Sequence, residues 1–168
     1  DWFDRLVPLW QLRLYLMEVH GQTDFYKDLY ERCIQMNKAT YSHGQWQLAF
    51  VYNCCITANT DLRPFFEKWG WLTPTKQIVN DYGTDTLSVT QRDIETLNKE
   101  ISSLHLPLLT DAVEYLTDKN LHLYQHPQNP MTGNVQYNNA GTIHITDSQG
   151  IVAFEVFNEN TLVGVSHN

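Results

Sequence analysis

The sequence predicts a mainly α fold with a β-rich C-terminal part (α+β), a helical bundle followed by a few antiparallel strands. Three observations carry that reading. Apolar residues recur at helical spacing in successive segments before residue 120. Capping residues and helix breakers fall between those segments. After Asn120 the texture changes, and turn-forming Pro, Asn and Gly separate short stretches that alternate polar and apolar with strand period. We therefore place a helical subdomain at residues 1–119 and a β-rich domain, or its beginning, at residues 120–168. A chain of 168 residues has room for one medium domain and the start of a second.

The first helix starts near Leu9. Leu9, Leu12, Leu16 and Val19 form one stripe and Trp10, Leu14 and Met17 the next, so it is apolar nearly all round and belongs at the centre. Pro8 fits its first turn and Gly21 its C-terminal cap, while Thr23 or Asp24 caps the next helix. That second helix buries Phe25, Leu29, Cys33 and Met36 and leaves Asp28, Glu31 and Lys38 to solvent. A third helix spans about Gly44 to Ala58 on the spacing of Trp46, Phe50, Val51, Cys54 and Ala58, and Asn59, Thr60 and Asp61 break it.

Pro64 opens a short fourth helix in which Phe65, Phe66 and Trp69 point inward and Gly70 stops the turn. The stretch with Thr73-Pro74 and Asp81-Tyr82-Gly83 reads as a loop. Thr90-Gln91-Arg92-Asp93 is a capping box ahead of Ile94, Leu97, Ile101 and Leu104, which make an amphipathic surface helix. A shorter helix covers Asp111 to Thr117. Pro127, Asn129, Pro130 and Gly133 mark a loop, and strands follow at Thr142–Thr146, Ile151–Phe157 and Leu162–Val165.

Composition excludes several classes of function. An apolar share of 42% with 12% aromatics is enough for a folded core. The 11 basic residues against 19 acidic ones give a formal net charge of -8, and no Lys/Arg cluster tracks a phosphate backbone, so nucleic acid is not a partner. No apolar stretch reaches the about 18 residues of a membrane span. The start, Asp1-Trp2-Phe3-Asp4-Arg5, has neither an initiating Met nor a signal-peptide pattern, which leads us to expect a piece of a longer chain with any address signal upstream. Cys33, Cys54 and Cys55 fit neither a disulfide framework nor a C-x-x-C knuckle and read as buried apolar thiols on helices.

A zinc peptidase site needs H-E-x-x-H on a helix, where two histidines share one face and the Glu activates a metal-bound water. The sequence has no such motif, and its 7 histidines are scattered. Only His122 and His126 stand four apart, and Asn120 and Pro127 around them indicate a loop with surface histidines. Ser42-His43 with Asp61, or Cys54 with a remote His, supplies nucleophile and base types, yet no G-x-S-x-G elbow accompanies them and we read the combinations as chance. G-x-G-x-x-G and G-K-[ST] loops are absent, and Glu18, Glu31 and Glu67 read as solvated helix faces. Trp69-Gly70-Trp71, and the set Tyr41, His43, Trp46 and Tyr52, have the flat apolar faces that stack on sugar rings. Packing competes with that role; we assign it to Phe65, Phe66 and Trp69 and leave Trp71 open. No catalytic, cofactor-binding or metal residue is assigned in this chain, and its substrate-binding residues are left unnamed.

Three strings taken in order carry a resemblance. They are Leu6-Val7-Pro8-Leu9-Trp10-Gln11-Leu12-Arg13-Leu14-Tyr15, then Asp24-Phe25-Tyr26-Lys27-Asp28-Leu29-Tyr30-Glu31, then Asp61-Leu62-Arg63-Pro64-Phe65-Phe66-Glu67-Lys68-Trp69-Gly70. Together they resemble the segment after the zinc site in the enhancin-like, mucin-degrading zinc metallopeptidases, the M-sixty-like peptidase family. The resemblance covers about Trp2 to Asn120, the C-terminal part of the catalytic domain, and the region from Val135 on is similar to the β-rich domain that follows it. It implies a gluzincin peptidase with two zinc histidines and a general-base Glu in H-E-x-x-H, a downstream Glu as third ligand, and mucin-type O-glycoproteins as substrates.

None of the zinc residues maps onto this chain. The positions that map are helix and packing positions: Trp10, Leu12 and Tyr15, then Phe25 and Tyr26, then Phe65, Phe66, Trp69 and Gly70. The resemblance therefore implies a non-catalytic fragment whose helices support an active site supplied upstream. This chain alone is expected to be inactive and to hold no cofactor, with zinc in the full-length parent. Its implied partner is a glycoprotein or glycan substrate met through the parent, and its implied location is extracellular, at the cell surface or periplasmic. Two rival readings stay open, a glycan- or protein-binding module that uses exposed aromatics and a purely structural helical domain.

Overall fold

A computed structural model describes residues 6–36, 41–80, 83–127, 132–138 and 142–167. The chain divides into two compact units, Asp1–Glu114 and Tyr115–Asn168. It is α+β: helices alternate with one hairpin in the first unit, and two antiparallel hairpins make up most of the second.

Helix α1, Val7–Arg13, carries Pro8 in its first turn, where the missing N–H has no intrahelical partner to lose. It continues as a π-helical stretch, Leu14–Val19, and Gly21 at φ +67° takes the left-handed turn that ends it. Gln11, Leu12, Leu14, Tyr15 and Leu16 are all buried, which makes this the central helix. It is not covered all round. Trp10, expected to pack inward, is 46% exposed and lies under the Arg13 guanidinium, 4.9 Å from the ring centroid. The ring lies on an outer face of the helix, where a cation covers it.

Helix α2, Phe25–Gln35, buries Phe25 and Leu29 and half-buries Cys33; Met36 just beyond is half-buried too, and Lys38 lies outside the described residues. Asp24 precedes it without a side-chain cap bond. Helix α3, His43–Ala58, is held at its start by a reciprocal box between Ser42 and Gln45 and ends at Asn59, a left-handed residue at φ 50°. Its buried residues are Gly44, Leu48, Val51, Cys54, Cys55 and Ala58. Helix α4, Arg63–Lys68, has Pro in its first turn and buries Phe65 and Phe66, and Gly70 at φ +73° turns the chain away.

The stretch expected as a loop after α4 is a hairpin. Strands β1, Thr75–Asn80, and β2, Thr84–Val89, pair antiparallel from Thr75 opposite Val89 to Asn80 opposite Thr84. Among the residues of β1 and β2 only Val89 is buried, so the alternation that betrays a strand is drowned by Lys76, Gln77, Asn80, Asp85 and Thr86. The hairpin is seated on α3: a Cβ placed on Gly44 would lie 1.8 Å from the Ser88 carbonyl oxygen, so only glycine lets the two backbones approach.

Helix α5, Gln91–Ser103, starts with the expected capping box, Thr90 with Asp93, and buries Ile94, Leu97 and Ile101. The helix expected over Asp111–Thr117 is reduced to a single 3-10 turn, Val113–Tyr115.

In the second unit, Leu121–Gln125 is a one-turn helix, α6, where the sequence indicates a loop. Asn120 opens it: its side-chain oxygen accepts from Thr117 N and its amide donates to the Tyr115 carbonyl. Strands β3, Thr132–Tyr137, and β4, Ile143–Gln149, form one hairpin, and β5, Ala153–Asn158, and β6, Thr161–His167, the other. β3 lies in what reads as loop, because Gly133 and its polar neighbours hide the strand. Among the described residues of these four strands none is buried.

Candidate functional site

The residues of the third motif form a clasp. Asp61, 5% exposed, is fixed at both backbone groups: its N–H donates to the Pro107 carbonyl and its C=O accepts from Leu109 N–H, making a parallel bridge to Leu108. Its carboxylate accepts from Arg63 Nε at 2.8 and 3.1 Å and from the Arg63 backbone N–H at 3.1 Å. Arg63 then spans the gap to α5, where Nη1 donates to the Asn98 carbonyl at 3.1 Å and to Ser102 Oγ at 3.2 Å. Burial pushes the Asp61 carboxyl up, but the hydrogen bonds and charge of Arg63 outweigh it and hold the group below the usual carboxylate range. The same bonds raise Arg63.

Behind this ion pair the aromatic rings interlock. Phe66 meets Phe65 edge-on at 5.4 Å, Trp71 at 5.3 Å and Phe50 of α3 at 6.5 Å. Trp69 is half-buried, and its Nε1–H donates to Gln11 Oε1 at 2.9 Å. Gln11 in turn donates from Nε2 to the Glu114 carbonyl at 2.8 Å, and Gln47 donates to the Trp71 carbonyl at 2.7 Å. Gln11, buried on α1, thus joins the end of α4 to residue 114 with both ends of its amide used. Sequence reasoning missed it. The available signal was a lone amide inside an otherwise apolar helix, which must find partners when buried.

The nucleophile types seen in the sequence are not brought together. Ser42 caps α3 and Asp61 follows its far end, about 24 Å away for 16 residues at 1.5 Å each. Ser42 Oγ accepts from Gln45 N, and His43 Nε2 lies 2.7 Å from Asp85 of β2. Cys54 is fully buried; burial, and behind it Cys55 and Cys33, push its thiol well up, and burial takes Cys55 up to about 12, so both stay protonated and unreactive.

His122 lies in α6 and His126 at its end, where the His126 N–H donates to the His122 carbonyl. Among the described residues no group of three or more His, Cys, Asp or Glu is placed to hold a metal ion. Glu18 pairs with Arg13 at 2.9 Å, and Glu31 and Glu67 are exposed. Of the aromatics, Trp71 is packed on Phe50 and Phe66; Tyr41 is 41% exposed and tilts against Trp46 at 5.5 Å.

The polar groups of this clasp are spent on one another, between two helices and a turn. Residues 1–70 match the model of the family described as Peptidase M60, enhancin and enhancin-like. Over those residues the chain is similar to that family, and the match contains all three motifs that carried the resemblance.

The fold is that of known metallopeptidases. A metallopeptidase in complex with Tn antigen superposes with a TM-score of 0.76 at 23% identity, covering 95% of this chain and 34% of its own. A metallopeptidase from Bacteroides thetaiotaomicron gives 0.76 at 21%, over 95% and 31%. The ZmpB metallopeptidase from Clostridium perfringens gives 0.53 at 19%, over 98% and 28%. The chain therefore spans about a third of the length of these structures. No curated protein matches it.

Proposed function

We propose that this chain is part of an enhancin-like zinc metallopeptidase acting on mucin-type glycoproteins, and that its helices buttress an active site whose H-E-x-x-H motif lies upstream. The observation that supports this most is the family match over residues 1–70, with the clasp of Asp61, Arg63, Trp69 and Gln11 built inside it or on it. One structural relative is a metallopeptidase in complex with Tn antigen, which supports a glycoprotein or glycan substrate. Zinc belongs to the longer protein; the described residues here form no ligand set for it, and we route no chemical step through them. On this reading residues 1–119 serve the peptidase domain and residues 120–168 a following β-rich domain. The location outside the cell or at its surface follows from the family alone; among the described residues no helix is long and apolar enough to cross a membrane.

The test uses the longer protein. Arg63→Ala there should lower cleavage of an O-glycosylated mucin peptide while its zinc content, read by mass spectrometry, stays stoichiometric. The isolated chain should cleave nothing. Cleavage by the isolated chain, or a longer protein that has no zinc and no H-E-x-x-H, would overturn the proposal.

A second reading has its own observation. Trp10 and Tyr41 are exposed at 46% and 41%, so a glycan-binding module is the alternative. Trp10→Ala abolishing retention on a mucin column, with the melt unchanged, would favour it.

A further inference from the structure

We propose that one apolar face shared by α1 and α2 is the seat on which the upstream, active-site part of the longer peptidase packs. The inference rests on the function proposed above and names the surface through which the helices meet that part. Helix α2 carries the clearest sign. At about 100° per residue, Phe25, Leu29 and Cys33 form one stripe, and Tyr26, Tyr30 and Ile34 form a second about 100° further round. Lys27, Asp28, Glu31 and Gln35 take the remaining circumference, so the helix is apolar over about half its girth. The core uses the first stripe: Phe25 and Leu29 are buried and Cys33 is half-buried. The second points elsewhere, with Tyr30 67% and Ile34 56% exposed. Helix α1 extends this face. Leu6, Trp10 and Arg13 recur there at i, i+4 and i+7, with Leu6 and Trp10 exposed and Arg13 half-buried. The Tyr26 hydroxyl donates to the carbonyl of Leu9, which borders that row, so the second α2 stripe starts where the α1 row runs.

Three observations point to the occupant. The metallopeptidases that share this fold over 95% of the chain match it with only 34% and 31% of their own length, so most of such a protein is polypeptide outside this chain. Both helices lie within residues 1–70, which match the peptidase family, and this assigns the face to the peptidase part. The polar groups on the face are already bonded: Arg13 lies 2.9 Å from Glu18 and over the Trp10 ring, and the Tyr26 hydroxyl is held by Leu9. A sugar needs hydrogen-bonding groups beside the ring it stacks on. Apolar side chains among satisfied polar groups instead suit the close packing of a protein interior.

The experiment compares hydroxyl-radical oxidation of Trp10 and Tyr30, read by mass spectrometry, in the isolated chain and in the longer protein. Both rings should oxidise at least about tenfold more slowly in the longer protein, a readout that needs no variant. Ile34→Glu places a charge on the face. It should leave the melt of the isolated chain within about 2 °C, because the site is exposed there, and lower that of the longer protein by at least about 5 °C. Equal oxidation in the two proteins, or Ile34→Glu silent in both, would overturn the proposal. So would protection that appears only when an O-glycosylated mucin peptide is added, which would make a glycan the occupant. Protection in the isolated chain that grows with its concentration would also overturn it, in favour of a second copy of this chain. A longer protein that holds zinc and cleaves the mucin peptide while both rings stay reactive sinks this inference alone; one without zinc and H-E-x-x-H sinks the proposed function with it.

Discussion

The two units use the same kinds of apolar side chain to different ends. In the first, Leu12, Val51, Cys54, Leu62 and Phe66 have no measurable exposure, because helices α1, α3 and α4 bring their apolar faces to one interior. In the second, Val135, Tyr137, Phe157 and Val163 are each more than half exposed. Among the described residues the two hairpins of this unit bury no side chain fully, and an isolated hairpin is marginal in water. The lesson is that stability is concentrated in the helical unit, while the β unit should open at lower free energy. Loss of buried volume should therefore be costly in one unit and nearly silent in the other.

The largest effect should come from Phe66→Ala, which empties a fully buried ring site touched by Phe50, Phe65 and Trp71. It should cost about 3–5 kcal/mol in a denaturant melt, whereas Val163→Ala in the β unit should stay within about 0.5 kcal/mol. Equal effects would erase the contrast between the units. Trp69→Ala should fall below Phe66→Ala, since its ring is only half-buried.

Next in size is Asp61→Asn, which leaves Arg63 held against α5 without its counter-charge and should cost roughly 2–3 kcal/mol. The pH dependence has a definite sign. The folded Asp61 carboxyl lies below its ordinary value, so its contribution is fully present above about pH 4 and is lost as pH falls through the lowered value. Asp93, held down by its bonds to Thr90, acts in the same direction. Acid melts of wild type and Asp61→Asn should therefore converge as pH drops below about 4; curves that stay parallel would show that Asp61 is not the group responsible. Gly44→Ala comes third, at about 1–3 kcal/mol, because the new methyl group must displace the Ser88 carbonyl.

How much of this was legible depended on whether a signal was local. The capping box at Thr90, Pro64 at the head of α4 and Gly70 at its exit each fix local geometry by themselves, and all are where the sequence places them, whereas the equally local box at Ser42 went unread. The hairpin at 75–89 was not legible, because it is held by Gly44, a residue 31 positions before Thr75 whose need for a bare Cα is set by a contact that no local period reveals. Trp10 was misread for the same reason: periodicity says which residues share a face, not which faces find a neighbour. The clasp lay halfway between. Phe65 and Phe66 were readable as buried, whereas the reach of Arg63 to Asn98 and of Gln11 to Trp69 links positions 35 and 58 apart.

The smallest predicted effect tests what holds the hairpin to α3. His43 Nε2 and Asp85 Oδ2 lie 2.7 Å apart across the same junction as Gly44 and Ser88, so the hairpin is fastened either by this side-chain contact, an ion pair only when His43 is protonated, or by the close backbone approach. The two side chains are 54% and 60% exposed. Water screens such a pair, and ordering both side chains offsets most of the attraction, so exposed pairs contribute about 0–1 kcal/mol. The backbone approach has no such discount, since displacing a carbonyl packed on a helix moves the strand itself. His43→Ala should therefore shift the melt far less than Gly44→Ala, and the shift should shrink further in 1 M salt, where the Debye length is about 3 Å. A His43→Ala melt as low as that of Gly44→Ala would mean that the side-chain contact rather than close packing seats the hairpin.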